Sequence, residues 1–404
     1  IGWVSRYFPK RVKAAQEAGQ PFVGSGHFFS AVHDTYRLLY EHRAIFHDLG
    51  YGHSGSVTAV FAPELEGEGE SRGIKSWETF DRHFGPLLDG SAFAGTRRGP
   101  RPIPFVYLTI NPEWPAQYIN WGTPLFERQF VNVVSAMEKH FREKGWTRTH
   151  FEMFFNHKKR YKGFEWDGDE TRFPKDNVCF KEFGRLLHAA MPEDSPVSFV
   201  FRHDASWLMR QQMYELAGIV DFWVCGGFVR WYPEEVRRVL ERGDTVWWYG
   251  GAPPVNAASD AVLENVYKTW GRGLNGFCTW LAVAPGADPW FDCDGSATGL
   301  LYPGERFGIE GPLPSIRLKI ERNGIQDVDA LNAAPDAESI RRNTVDAIAM
   351  PLWEKPPAAA LELPPEDWDN NNLATSVEPG TLPPAAGAAG WWSVIRKAAV
   401  EEAY

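Results

Sequence analysis

The feature that most constrains this chain is an alternation. From residue 27 onward, short apolar runs are followed by longer stretches with helical spacing. Parallel strands cannot be joined by a tight turn, so each needs a crossover, and a helix is the usual one. The runs at 56–61, 103–110, 149–155, 197–203, 220–224, 245–249 and 276–283 read as strands. Between and after them, helices are expected at 28–42, 77–88, 124–144, 177–191, 208–216, 233–241, 261–270 and 314–331. Seven strands are clear, and residues 21–24 offer a weak eighth at the start unless it lies ahead of this chain. The pattern predicts an α/β fold, a (β/α)8 TIM barrel over 27–350 with long loops at its C-terminal face.

Length and composition are compatible with one large core: 404 residues, 44% of them apolar. The formal net charge of -10 argues against a nucleic-acid partner, which would be held by clustered Lys and Arg. No run of apolar residues is long enough to span a membrane. Eighteen Trp, 27 Phe and 13 Tyr suit a glycan or oligosaccharide partner, because flat rings match the apolar faces of sugars, although core packing is the commoner fate of any one ring. Cys179, Cys225, Cys278 and Cys293 show no close pairing of the kind that marks zinc or redox sites. No dinucleotide fingerprint or phosphate loop is present, and Asp292 with Asp294 completes no calcium loop, so neither cofactor nor metal is expected.

Residues 1–26 read as a lead-in segment. Beyond 350 the composition turns to Pro, Ala and Gly, which cannot bury enough surface for a core, so 351–404 is expected to be an extended tail ending in a short amphipathic helix. Trp391 and Trp392 on that helix are expected to dock on the barrel or on a second copy of the chain, which makes the tail a candidate oligomer contact. The chain opens on Ile1 rather than Met, which suggests that upstream residues were removed or not included. This leaves localisation open, with a secreted or periplasmic protein favoured over a cytoplasmic one.

Barrel sites are built where strands end. Asp204 closes the strand "VSFVFRHD" and is a candidate for substrate contact, its rival role being a cap for the next helix. Asn156 and His157 follow another strand and are candidates for bonding sugar hydroxyls. Lys158, Lys159 and Arg160 would hold an anionic substituent, or form a solvated basic run. Trp248 and Tyr249 close "TVWWYGG" and Trp280 lies in "GFCTWLAV". Alternation lets only one of Trp247 and Trp248 face inward, and Trp248 and Trp280 are taken as the sugar platforms.

The blocks "YRLLYEHRAIFHDLG", "WETFDRHFGPLLDGSAF", "HFREKGWTRTHFEMF", "RGDTVWWYGGAPP", "NGFCTWLA", "GLLYPG" and "GPLPSIRLKIERNGIQDVDAL" occur in this order between residues 30 and 332. Together they resemble the catalytic barrel of glycoside hydrolase family 123, "PSIRLK" followed by "GIQD" being the most specific. The resemblance implies a retaining, exo-acting enzyme that removes β-linked N-acetylgalactosamine and is preceded by a β-sandwich, which this sequence does not contain. It implies substrate-assisted hydrolysis, in which the 2-acetamido oxygen attacks the anomeric carbon while an Asp orients that group and a Glu serves as acid and then base.

Directly after the strand at 149–155 stands "NHKKR", with no carboxylate. The nearest match to the family's pair is Asp169 and Glu170 in "WDGDETRFP", with Thr171 where the family often has Pro and Asp167 a close rival. Trp166 or Phe164 is expected to wall Glu170 and raise its pKa. Two alternatives remain open. One is a glycosidase acting on a sugar without an acetamido group through Glu170 and Asp204; the other is a glycan-binding barrel without catalysis.

Overall fold

The structure is a computed structural model that describes residues 2–47, 61–155, 166–169, 171, 174–205, 209–284, 288–291, 299–356 and 388–403. Its chain divides into two units. The first comprises Ile1–Asp204, Glu215–Phe222 and Gly304–Pro312; the second comprises Ala205–Tyr214, Trp223–Pro303 and Leu313–Tyr404.

The first unit opens with three helices, α1 (Gly2–Tyr7), α2 (Pro9–Glu17) and α3 (Gly26–Glu41). The lead-in segment is therefore largely helical, and Trp3, Val4, Tyr7 and Phe8 are core residues. The weak strand expected at 21–24 is a turn instead. Gly24 sits at φ +83, and the Ser25 hydroxyl accepts from Phe28 N, so these residues form the entry to a helix. A small hairpin, β1 (Glu64–Glu66) and β2 (Gly73–Ser76), occupies the acidic Gly-rich loop and leads to α4 (Glu78–Leu88).

Then the expected alternation begins: β3 (Phe105–Thr109), α5 (Pro124–Glu143), β4 (His150–Phe154), α6 (Asp176–Ala190) and β5 (Ser198–Ala205). Helix α5 shows why. Thr123 caps it, Pro124 starts it, and Phe126, Phe130, Val133, Val134, Met137 and Phe141 fall on one buried face. Gly145, at φ +74, ends it.

Strands β3–β4 and β4–β5 pair in parallel, with Tyr107 opposite Glu152 and Glu152 opposite Val200. Alternation then sorts the side chains. Phe151, Phe199 and Phe201 face the helices: Phe151 lies 4.2 Å from Phe141 of α5, and Phe201 lies 5.0 Å from Phe183 of α6. Tyr107, Glu152, Phe154, Arg202 and Asp204 share the opposite face.

The second unit continues with α7 (Met209–Glu215), β6 (Phe222–Cys225), α8 (Pro233–Glu241), β7 (Thr245–Gly251), α9 (Ser259–Gly271) and β8 (Gly276–Trp280). After short strands β9 (Leu301–Pro303) and β10 (Pro312–Pro314) come α10 (Ile316–Ala333) and α11 (Ala337–Ala347), the latter unforeseen in the sequence. The terminal helix, Ala388–Ala403, docks within this unit. Trp391, Ile395 and Ala399 bury themselves with Leu263, Val266, Tyr267 and Trp270 of α9 and Leu331 of α10, while Trp392 stays 41% exposed. Most of the Pro/Ala-rich tail lies outside the described residues.

Strands β3 to β8 form one sheet in sequential order. Six of the eight expected barrel strands are thus present among the described residues. The run expected at 56–61 lies mostly outside them, and 21–24 forms no strand. No described helix is long and apolar enough to cross a membrane.

Candidate active site

The polar face of β3, β4 and β5 carries a connected set of charges. Glu152, fully buried, accepts from His47 Nε2 at 2.5 Å and from Arg202 Nη1 at 2.8 Å. Burial would push the Glu152 carboxyl up, but His47 and Arg202 outweigh it and hold it below the usual carboxylate range. Arg202 also grips Asp204 with two contacts, Nε to Oδ1 at 2.8 Å and Nη2 to Oδ2 at 3.2 Å. Its guanidinium lies over the Phe154 ring, 4.7 Å from the centroid. A planar fork held by two carboxylates has little freedom, so the Asp204 carboxylate is fixed in place. Asp204 is the member nearest solvent, its side chain 16% exposed against 6% for Arg202.

Tyr107 stands on the same face, its ring edge-on to Phe154 at 6.0 Å. Its hydroxyl is buried and has no hydrogen-bond partner among the described residues. Burial raises the phenol's pKa; Arg202 opposes this, and Asp169, Asp204 and Glu152 add to it. The charges of Asp169, from the loop after β4, and of Asp204, from the end of β5, therefore reach one phenol.

The loop bearing Asp169 is seated by its neighbours. Trp166 is buried in an aromatic cluster with Trp121 at 5.7 Å, Phe155 at 5.1 Å and Phe180 at 5.5 Å. Asp167 is buried and Asp169 half-buried. Thr171, fully buried, places its Oγ1 3.3 Å from Nε2 of His203, a β5 residue whose ring packs edge-on against Phe180 of α6. Glu170, Asn156 and His157 lie outside the described residues, as do Lys158, Lys159, Arg160 and Phe164, and Asp292 and Asp294 in the other unit.

In the second unit, β7 and β8 pair with Trp247 opposite Gly276, Trp248 opposite Phe277, Tyr249 opposite Cys278 and Gly251 opposite Trp280. Phe277 packs against the helix cluster, and Thr279 bonds Glu321 of α10. Trp248 therefore lies on the helix-facing side, whereas Trp247, Tyr249 and Trp280 stand on the other. Trp248, expected from the sequence to be the inward ring of the pair, is instead turned toward the helices by strand register, and Trp247 to the other face, because Trp248 pairs with the helix-packed Phe277.

Glu152, Arg202, Tyr107, His203 and His47 were not singled out from the sequence. A signal existed for some of them: Glu152 interrupts "HFEMFF", and Tyr107 interrupts "FVYLTI". A charge or a phenol inside an apolar strand has to face something polar.

No family model and no curated protein matches the sequence. Among solved structures, the chain is similar to a family 123 glycoside hydrolase from Clostridium perfringens, described as acting in glycolipid glycan hydrolysis. The likeness has a TM-score of 0.59 at 14% identity and covers 99% of this chain and 68% of that one. A β-glucuronidase from Bacteroides uniformis matches 58% of this chain and 28% of that one at 12% identity, with a TM-score of 0.27, too low for a shared fold.

Proposed function

We propose that this chain is a glycoside hydrolase, a retaining, exo-acting β-N-acetylhexosaminidase of the galactosamine type. The observation that carries the reading is a fold shared with a family 123 hydrolase over 99% of the chain. The ordered sequence blocks agree with it, and the acidic cluster on the polar face of β3–β5 supports a site at that end of the strands.

In this reading Glu170 protonates the departing glycosidic oxygen as the substrate's acetamido oxygen bonds to the anomeric carbon, giving an oxazolinium-like intermediate. Asp169 accepts from the acetamido N–H and balances the developing positive charge. Water then attacks the anomeric carbon, yielding its proton to Glu170, and the configuration is retained. Arg202, itself held by Glu152, aligns Asp204 as a sugar-binding acceptor.

A second reading is favoured by one observation: Asp204 is held at the end of β5 by two Arg202 contacts, its side chain 16% exposed. Here Asp204 is the nucleophile and Glu170 the acid, and no acetamido group is needed. Hydrolysis of aryl β-glycosides by wild type and Glu170→Gln separates the two. Turnover restricted to N-acetylgalactosaminide and N-acetylglucosaminide, and reduced at least about a hundredfold by Glu170→Gln, is the expected result. Cleavage of galactoside or arabinoside would favour Asp204, and full activity in Glu170→Gln would exclude both.

A further inference from the structure

A buried hydroxyl without a partner is a cost to the folded state, so its retention calls for a reason. Tyr107 presents one on the polar face of β3. Its neighbours define what it can bond. Arg202 is donor-only, and both Glu152 oxygens are already engaged, by His47 and by Arg202. Asp204, gripped by Arg202 through both carboxylate oxygens, presents acceptors.

The phenol donor and the Asp204 acceptor share one face and are linked through Phe154 and Arg202, and together they select the chemistry of a group bound between them. A carboxylate or phosphate would be repelled by Asp204 and Asp169, and an ammonium group has no lone pair to receive the phenol's proton. A neutral hydroxyl both accepts and donates. Resting on the glycosidase reading, we infer that Tyr107 and Asp204 form a subsite for one hydroxyl of the sugar. The phenol donates to that hydroxyl's oxygen and Asp204 accepts its proton.

The subsite joins elements that the sequence separates by 97 positions, Tyr107 on β3 and Asp204 on β5, and both side chains emerge on the face opposite the helix-packing Phe151 and Phe201. The Phe154 ring, packed edge-on against Tyr107 and covered by Arg202, holds the two in fixed relation.

The test is Tyr107→Phe, which removes one oxygen and keeps the ring. Wild type and variant are compared by kcat/KM on an aryl β-N-acetylgalactosaminide and its monodeoxy analogues, and by thermal unfolding. The expected result is a loss of about tenfold to a hundredfold on the parent glycoside, with a Tm that is unchanged or raised. On the one deoxy analogue that lacks the bound hydroxyl, variant and wild type should be equal. Asp204→Asn combined with Tyr107→Phe should cost less than the product of the single losses. Full kcat/KM in Tyr107→Phe overturns the inference, as does a fall in Tm that accounts for the lost activity. If wild type cleaves none of these substrates, the glycosidase reading fails separately, and calorimetric titration with N-acetylgalactosamine decides the subsite. Weaker binding by Tyr107→Phe sustains it, and equal binding or none overturns it.

Discussion

At the scale of single residues, the charge set Glu152, Arg202 and Asp204 makes the sharpest demands. Removing Arg202 would leave Glu152 buried with His47 as its one remaining partner in the set, and breaking a buried pair in this way costs roughly 3–5 kcal/mol. Arg202→Met should therefore lower the unfolding free energy by about that much, measured by urea denaturation, and Glu152→Gln in the same chain should recover part of it. The Glu152 carboxyl is held below its ordinary value of 4.5, so its stabilisation is present above that pH and is lost as pH falls through the depressed value. Glu152→Gln should flatten that acid limb; an unchanged limb would mean that Glu152 is not the group responsible. Thr171→Val should leave the buried His203 Nε2 without its hydroxyl partner, costing about 1–3 kcal/mol. If the contact also positions Glu170, kcat should fall more than KM changes, and Thr171→Ser should restore it.

At the scale of elements, α10 and the terminal helix carry separate tests. Glu321 of α10 is fully buried; burial pushes its carboxyl up to about 7, against the opposing Thr279 hydrogen bond and the charge of Arg317. The folded state thus keeps a proton that the unfolded chain releases from an ordinary value of 4.5. Stability from this group is full below 4.5 and declines as pH rises through about 7, by roughly 3 kcal/mol in all. Glu321→Gln should remove that decline, and equal slopes in the two proteins between pH 5 and 8 would refute the assignment. Trp391 fills the cluster against α9 and α10, so Trp391→Ala should cost roughly 3–5 kcal/mol, as large core deletions do. Trp392→Ala, at a position 41% exposed, should change little.

At the scale of the whole molecule, a formal charge of -10 and the proposed neutral glycan make a joint prediction. Steering acts on charged ligands, so kcat/KM on an uncharged aryl glycoside should vary by less than about twofold between low salt and physiological ionic strength. A steep dependence would point to a charged substrate instead. The strand alternation carries the fold at this scale, and its sequential order from β3 to β8 is what short helical crossovers produce.

Much of this was written in the sequence. Short apolar runs bounded by turn residues and alternating with helical spacing placed β3 to β8 and most of their helices. Gly145, which ends α5, was equally local. Two kinds of feature were not. The short N-terminal helices and α11 have few periodic turns, and their stability comes from packing. The relations across strands were decided by tertiary structure: which of Trp247 and Trp248 faces the helices, and that Tyr107, Glu152, Arg202 and Asp204 stand together. Register sets them, and register is a property of neighbouring strands, which no single stretch of sequence contains.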